Sequence, residues 1–490
     1  MINLLGEAAP HLLLQDAAWP AISPDGRLVA FIRSDGTKLA VWVGGINGEA
    51  PRKLAEEDTA SPSWSPDARW IAYASGKETA EVPWNPVIEV RPVDGGPAKT
   101  LVSESSLPKS TSICLPALNC LQWSPDWRLV FSARQAAGSP SGRESYSLWE
   151  VPVKPSAGEA AGKPERLAQW NDFAPQALTI SADGKRLSFL KQRQWADVYL
   201  AELGPDGTSM KPPRRFTLDN RGIGSLDSWT LDSQAILFSS YRNGKGEVFR
   251  QGLKESVGEA VVQGTDDNYD AALSSDGSWM LYVESTRGTP GAPPAPQRLM
   301  RRPPAGGSPE MVLEEPAGTS WSYWCPLKPG SGCVLCQQEG KDSVFYSLDA
   351  VRGKGEQLGK IQASAFGMFF GFSVSPDGSR LAVVRGEDKY KGRIDVLTFR
   401  DHVWHQVAVD PSWGFLQSIA WAADGNGFFV TSNLADSKNL LHVSLNGKVQ
   451  SLLHYDRRQW MINPAPSPNG KYLAFQAQTW DSNVWMLEGF

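Results

Sequence analysis

The sequence is poor in the residues that build most metal sites. Its 490 residues include 5 histidines and 5 cysteines. His402 and His405 are three residues apart in a stretch that is typical of a strand, which places them on opposite faces. Cys333 and Cys336 have the spacing of a metal or redox pair, but no second Cys or His pair completes a zinc site. We therefore predict neither a metal nor a cofactor.

Long apolar runs and an excess of basic residues are also missing. No apolar run approaches the roughly 18 residues that cross a bilayer, and residues 1–14 lack the pattern of a signal peptide. The net charge of −5 and the pI near 5.7 do not favour a nucleic acid as partner. We expect no membrane span and no nucleic-acid binding in this chain, and an exported protein would carry its targeting segment elsewhere.

The sequence lacks the nucleophile elbow of a serine hydrolase. That motif requires Gly-x-Ser-x-Gly, whereas residues 138–142 read Gly-Ser-Pro-Ser-Gly, with proline in the middle of a turn-rich insertion. No helical α/β segment is present to carry an elbow. The prediction is that this chain is not an enzyme.

Turn-forming and large aromatic residues are abundant instead, with 46 Gly, 36 Pro and 20 Trp. Such a composition favours short strands joined by many turns. A Ser-Pro-Asp-Gly turn followed by an alternating apolar strand recurs along the whole chain. The acidic or amide residue of the turn stands at Asp25, Asp67, Asp126, Asp183, Asp232, Asp276, Asp377, Asp424 and Asn469.

The spacing of these turns is that of propeller blades. Most successive turns lie about 40 to 60 residues apart, and the interval from Asp276 to Asp377 is twice that length. A degenerate repeat at about 319–360 fills this interval, which makes about ten repeats. We predict an all-β fold, a β-propeller of four-stranded blades that covers residues 1–490.

Ring closure is predicted from the two ends of the chain. The last repeat, 460–490, stops without an outer strand, and residues 1–15 resemble an outer strand without the first three. Pairing between them would close one ring and remove exposed sheet edges. A division into two smaller propellers remains an alternative.

The Ser-Pro-Asp-Gly repeats resemble those of TolB-like propellers along nearly the whole chain. Segments such as 325–335, 421–425 and 482–490 also resemble the C-terminal sensor propeller of acidobacterial winged-helix regulators and serine/threonine kinases. This resemblance implies a bacterial sensor that works in the periplasm or elsewhere outside the cytoplasm. The sequence has no kinase motif and no predicted helix-turn-helix, so this chain would be the sensor part alone.

Two polar loops are the candidate binding sites. Asp219, Asn220 and Arg221 precede one inner strand, and Arg221 has the chemistry to bind a carboxylate or phosphate or to pair with Asp219. Asp266, Asp267 and Asn268, with Asp270, precede the next inner strand, either as an oxygen-rich ligand set or as a solvated loop. Loops at this position face the mouth of the central channel of a propeller.

The cysteines offer one main candidate pair. Cys325 and Cys333 flank a turn-like stretch, and facing strands bring such side chains to disulfide distance. Cys114 and Cys120 are a weaker candidate, and five reduced thiols are the alternative.

Together these patterns predict a non-catalytic, monomeric propeller that senses a small ligand or binds a protein or peptide at the channel mouth. The alternative is a propeller that gates or docks substrate for an associated peptidase or hydrolase.

Overall fold

The computed structural model describes most of the chain. The described residues are 12–34, 39–55, 59–77, 85–108, 111–113, 120–135, 145–170, 173–218, 223–242, 245–286, 295–326, 328, 330–362, 370–385, 391–434, 437–456 and 459–490. Their regular structure is almost entirely antiparallel sheet, as predicted, apart from short 3₁₀ turns such as Glu104–Ser106 and Pro411–Trp413. No helix in these ranges has the length and apolarity that crossing a membrane requires.

The chain forms two compact units, and unit 1 comprises residues 1–193, 288–293 and 481–490. It contains four blades, A to D. Blade A is β1 (Ala17–Ile22), β2 (Leu28–Ser34), β3 (Leu39–Gly45) and β4 (Arg52–Lys53). Blade B is β5 (Thr59–Trp64), β6 (Trp70–Lys77), β7 (Asn85–Pro92) and β8 (Lys99–Val102). Blade C is β9 (Thr111–Ile113), β10 (Leu121–Trp123), β11 (Arg128–Gln135), β12 (Ser145–Lys154), β13 (Glu159–Ala160) and β14 (Glu165–Trp170). Blade D is β15 (Ala174–Ile180), the first part of β16 (Arg186–Glu202) and the end of the last strand.

Unit 2 comprises residues 194–287 and 294–480 and contains six blades. Blade 1 is β18 (Ile223–Trp229), β19 (Ala235–Ser240), β20 (Glu247–Gly252) and β21 (Glu259–Val262). Blade 2 is β22 (Asp267–Leu273), β23 (Met280–Ser285), β24 (Gln297–Arg302) and β25 (Glu310–Glu315). Blade 3 is β26 (Trp321–Trp324), β27 (Cys333–Glu339), β28 (Asp342–Asp349) and β29 (Gly353–Gln362). Blade 4 is β30 (Phe370–Val374), β31 (Arg380–Arg385), β32 (Arg393–Thr398) and β33 (Val403–Ala408). Blade 5 is β34 (Phe415–Trp421), β35 (Gly427–Asn433), β36 (Ser437–Ser444) and β37 (Val449–Asp456). Blade 6 is β38 (Gln459–Pro466), the first part of β39 (Tyr472–Glu488), the second part of β16 and β17 (Arg214–Arg215).

The repeated turn has one hydrogen-bond pattern. In blade 4 the Ser375 hydroxyl donates to Asp377 Oδ1 at 2.6 Å and accepts from the Arg380 main-chain N–H at 2.9 Å. The same side-chain bond joins Ser to Asp two residues on in blades A, B, D and 2, at Ser23, Ser65, Ser181 and Ser274. Because the hydroxyl bridges both ends of the turn, it fixes how the second strand starts.

Buried apolar clusters join neighbouring blades. In unit 1 they link A to B, B to C and C to D. In unit 2 six clusters link 1 to 2, 2 to 3, 3 to 4, 4 to 5, 5 to 6 and 6 back to 1. The blades of unit 2 therefore form a closed ring of six.

Tryptophans at matched positions also bridge blades. The Trp229 indole N–H donates to the main-chain carbonyl of Ala465 at 2.8 Å, across the junction of blades 1 and 6. Trp421 donates to the Ser373 carbonyl at 3.0 Å in the same way, and Trp64 to that of Ala21 at 2.8 Å. These three tryptophans thus hold adjacent inner strands together.

The described part of the C-terminal blade is completed by β16, which pairs with β39. Residues 1–11 of the predicted closing strand 1–15 lie outside the described residues, so its pairing stays a prediction. In unit 2 the Leu203 N–H donates to the Lys471 carbonyl at 2.9 Å, and in unit 1 the Gly489 N–H donates to that of Lys185 at 3.0 Å. The reason is local: residues 191–196 contain no Gly, Pro or Asn, so β16 continues for 17 residues instead of turning.

Candidate functional site

The inner strands of all six blades of unit 2 line one cavity. Its volume is about 840 Å³, within the range of small-molecule sites. One lining residue from each inner strand is Asp227, Asp270, Tyr323, Phe372, Ile419 and Asn463. The cavity extends along the strands to the turns that follow them, where Asp377, Gly425 and Pro468 line it. It is therefore the central channel of the ring.

A β-bulge brings polar side chains into this channel. The β22–β23 pairing shifts register between Tyr269 and Ala272, and Asp270 at the bulge has a positive φ of 54°. Asn463 has a φ of 52° at the corresponding bulge of β38. Both residues stand four positions before the turn serine, and Asp and Asn tolerate this left-handed conformation better than most residues.

Asp227 is the more tightly held of two neighbouring carboxylates. Its Oδ1 accepts from the Ser225 hydroxyl at 2.5 Å, and its Oδ2 accepts from the Ser239 hydroxyl at 2.6 Å and from the Ala271 main-chain N–H at 3.1 Å. Because Ala271 belongs to β22, Asp227 ties blade 1 to blade 2. All three donors are neutral.

Asp270 is the more accessible carboxylate. The side chain is exposed and lines the channel, and its Oδ1 lies 3.4 Å from the Ser225 hydroxyl. Within the described part of the chain, its Oδ2 receives no hydrogen bond. The main chain is fixed by the Tyr323 hydroxyl, which donates to the Asp270 carbonyl, and by the Ser239 hydroxyl, which accepts from the Asp270 N–H at 3.2 Å. This arrangement leaves one carboxylate oxygen available to a ligand.

The two carboxylates resist joint ionisation. Burial, followed by the charge of Asp270, raises the pKa of Asp227 well above its usual range despite the hydrogen bonds from Ser225 and Ser239. The surrounding protein atoms partly desolvate Asp270 within the channel and raise its pKa, although the side chain remains accessible to solvent. The two groups titrate as a pair. Burial and the two carboxylate charges raise the pKa of Tyr323, which keeps its hydroxyl protonated as a donor.

The channel lining carries an excess of negative charge. Its acidic residues are Asp227, Asp270, Asp377 and Asp424, and its basic residues are Lys328 and Arg380, a formal balance of −2. Arg380 lies over the Trp421 ring at 4.5 Å and donates to the Gly425 carbonyl at 3.3 Å. In the described ranges neither Asp227 nor Asp270 has an ion-pair partner.

The predicted cluster at 266–268 lies beside the channel lining. Asp267 Oδ1 accepts from the Gly246 N–H at 2.7 Å, and the Asn268 N–H donates to the Gly246 carbonyl at 2.9 Å. Asn268 is buried and its side-chain amide donates to the Asp266 carbonyl at 3.0 Å. These contacts give Asp267 and Asn268 a part in shaping the start of β22, and none of the three lines the channel cavity.

The other predicted residues divide into two groups. Asp219, Asn220 and Arg221 lie outside the described residues. Cys325 and Cys333 form a disulfide that joins β27 to the segment after β26, with Cα atoms 4.2 Å apart. Cys120 is also disulfide-bonded, and the described free thiol belongs to Cys336.

Asp227 was not identified from the sequence, and Asp270 was named only as a member of the loop at 266–270. The available signal was position: Asp227 lies three residues, and Asp270 four residues, before the first residue of the repeated turn. An acidic residue inside an inner strand that otherwise alternates small and apolar residues marks a channel position.

Residues 10–105 match the family described as the lipoprotein LpqB beta-propeller domain. These residues include blades A and B. No curated protein sequence matches the chain.

Several solved propellers resemble the chain at low identity. TolB from Acinetobacter baumannii is 17% identical, with a TM-score of 0.24 over 68% of this chain and 64% of its own length, so the likeness spans less than two thirds of that protein. A TolB homologue from Agrobacterium tumefaciens is 16% identical, with a TM-score of 0.23 over 60% and 79% of the two chains. The propeller domain of the Trilobed protease from Pyrococcus furiosus is 14% identical, with a TM-score of 0.25 over 62% and 85%. The family match supports the β-propeller fold that the sheets of both units display.

Proposed function

We propose that this chain is a non-catalytic binding propeller that senses a small ligand or an extended peptide in the central channel of unit 2. The observation that carries the proposal is the convergence of six inner strands on one cavity of about 840 Å³. A cavity of this size, with aromatic walls and polar groups that converge on it, is typical of a ligand site.

A binding role agrees with the hydrogen bonds of the polar side chains. The Ser375 hydroxyl makes its hydrogen bonds within its own turn. Asp227 accepts hydrogen bonds from three neutral donors. Of the described histidines, His402 bonds to the Leu358 carbonyl and His454 to the Asn439 side chain. Neither serves a serine or cysteine as a base.

We further propose that the chain works outside the cytoplasm as the sensor part of a bacterial regulatory system. The disulfide between Cys325 and Cys333, together with that of Cys120, supports an oxidising compartment. The match of residues 10–105 to a lipoprotein propeller domain supports the same location.

A channel-blocking variant tests the binding role. Ser322 is exposed and lines the channel, so Ser322→Trp fills the lumen, whereas Ser308→Trp adds the same bulk at an exposed position away from the cavity lining. A chemically mixed library of small molecules and short peptides is screened by thermal shift against the unaltered chain and both variants. We expect compounds that stabilise the chain and Ser308→Trp, but not Ser322→Trp. If every stabilising compound acts equally on Ser322→Trp, the channel is not the binding site.

A further inference from the structure

The Asp227–Asp270 pair differs from the buried aspartates of unit 2. Asp197 is 5% exposed and pairs with Arg215 at 2.7 Å, and Asp395 is 4% exposed and pairs with Arg385 at 2.7 Å. Asp227 and Asp270 lie together with no such counterion in the described residues. Unit 2 thus neutralises its two most buried aspartates with arginine and leaves the Asp227–Asp270 pair without such a partner.

Aromatic residues also line the channel, namely Tyr269, Trp321, Tyr323 and Trp324. Tyr269 and Tyr323 are the two next to Asp270, by sequence and by the hydrogen bond to its carbonyl. The Tyr269 hydroxyl accepts from Gln297 Nε2 at 2.7 Å, which holds its ring beside Asp270. Ring faces attract cations, and they do so more strongly where water is excluded. Carboxylates without a counterion and ring faces thus independently favour a positively charged ligand.

The arrangement fits an ammonium group better than a metal ion. A hard divalent cation takes six or more oxygen ligands, but within the described ranges no group of three or more acidic, His or Cys side chains is placed to hold one. Asp227 already uses both oxygens for neutral donors, so Asp270 alone offers an unbonded oxygen. A protonated amine needs one such oxygen at hydrogen-bond distance and gains from the second negative charge behind it.

We propose that the channel of unit 2 binds a ligand through a protonated amino group, which donates to Asp270 with Asp227 as the supporting charge and the aromatic rings around it. This inference rests on the proposed channel-binding function. The amine belongs either to a free small molecule or to a lysine side chain of a peptide.

Calorimetric titration of the full chain at about pH 8 tests the proposal. The small-molecule probe is 1,5-diaminopentane, with 1,5-pentanediol as its neutral counterpart. The peptide probe is Gly-Lys-Gly with an acetylated N-terminus and an amidated C-terminus, and its lysine-acetylated form is the counterpart. We expect one charged probe to bind and its neutral counterpart not to bind. Tighter diamine binding identifies the free amine as the source, and tighter peptide binding identifies the lysine side chain.

Asp270→Asn is the decisive variant. Asparagine occupies the same left-handed bulge at Asn463, so the substitution preserves the local fold. We expect the affinity for the charged probe to fall about 10- to 100-fold, the range for a hydrogen bond to a charged group. Glu356→Gln, an exposed position away from the cavity lining, removes the same charge and leaves affinity unchanged.

Three results overturn the amine inference: equal affinity in Asp270→Asn, equal binding of neutral probes, or binding of Ca²⁺ in place of both amines. If neither amine probe binds, but the library yields neutral ligands that bind the unaltered chain and not Ser322→Trp, the amine inference is wrong. The proposed channel-binding function is then still supported. If Ser322→Trp excludes nothing, both fall.

Discussion

Asp227 and Asp270 lie on neighbouring inner strands and share one donor, the Ser225 hydroxyl, which is 2.5 Å from the first carboxylate and 3.4 Å from the second. One hydroxyl proton cannot satisfy both oxygens. The Ala271 N–H, next in sequence to Asp270, donates to Asp227 and holds the strands at this spacing. The carboxylates of Asp227 and Asp270 therefore repel each other at the junction of blades 1 and 2 when both are ionised.

Relief of this repulsion makes Asp270→Asn more stable than the unaltered chain at about pH 8. The pKa values of the pair are raised in the folded chain, so the pair costs no stability at low pH and costs increasingly more as the pH rises through the folded values. The neighbouring Tyr269 and Tyr323 have raised pKa values and do not ionise in this range. We expect a gain on the order of 1 kcal/mol or less at about pH 8, because Asp270 is exposed and solvent screens its charge.

The measurement is urea unfolding of both chains between about pH 4 and pH 8. The gain shrinks as the pH falls, because both carboxylates are then protonated in the unaltered chain. Glu356→Gln shows no pH-dependent gain. A constant difference at every pH argues against repulsion as its cause.

The fold was largely predictable from the sequence because the turn is chemically specific. Ser, Pro, Asp and Gly each meet a separate requirement of the turn, so nine copies revealed the period even where the strands diverged. The degenerate repeat also shows this, since residues 321–362 form the regular blade 3. Strand partners were less predictable. Pairing of β16 with β39 joins residues nearly 300 positions apart, and no local pattern encodes it.

The channel site was harder to predict for a geometric reason. Whether Asp270 faces the lumen or the neighbouring blade depends on a bulge, which inverts the alternation of an inner strand at one residue. Asp227 and Asp270 become neighbours only through the packing of two blades. Loops rich in Asp and Asn, in contrast, are visible in sequence, which is why the sequence points to residues 266–268.

Because Trp229 joins blades 1 and 6 and so helps to close the ring of unit 2, we expect Trp229→Phe to lower the free energy of unfolding. The indole N–H of this 1% exposed residue reaches the Ala465 carbonyl, and its loss leaves that acceptor without its partner. We expect a loss of about 2 kcal/mol or more in the free energy of unfolding, measured in urea. Trp321→Phe is the matched control, because the Trp321 indole N–H is buried without a partner. Equal losses in both variants mean that the hydrogen bond contributes nothing.

The turn hydroxyls are predicted to stabilise each blade. Ser375 is fully buried and joins Asp377 to the Arg380 N–H. We expect Ser375→Ala to lower the free energy of unfolding by about 1–3 kcal/mol, because the part-buried Arg380 N–H loses its acceptor. Ser308→Ala at an exposed position changes it by less than about 0.5 kcal/mol. A neutral Ser375→Ala variant would show that the backbone alone holds the turn.

The disulfides and the burial of Cys336 predict which cysteines an alkylating reagent can modify. Alkylation of the native chain without reductant modifies no described cysteine, because burial raises the pKa of Cys336 to about 12. Alkylation in denaturant modifies Cys336, whereas Cys120, Cys325 and Cys333 remain protected, as read by peptide mass spectrometry. Labelling of Cys325 or Cys333 in the unreduced, denatured chain contradicts their pairing.

The same disulfide is predicted to stabilise unit 2. The two cysteines are 8 positions apart, and closure of a loop of this length is worth about 2.5 kcal/mol in the chain-entropy model. Replacing both cysteines by serine lowers the urea midpoint accordingly. An unchanged midpoint would mean that the turn is already ordered without the bond.

The reactivity of a thiol placed in the channel, by Ser322→Cys, tests the cation-binding account most directly. Its rates with a cationic and an anionic methanethiosulfonate reagent are compared at about pH 8 with those of Ser308→Cys. A channel that attracts cations gives a cationic-to-anionic rate ratio several-fold higher at position 322 than at 308, and adding Asp270→Asn reduces this excess. Equal ratios at the two positions, or an excess that persists with Asp270→Asn, would contradict the account.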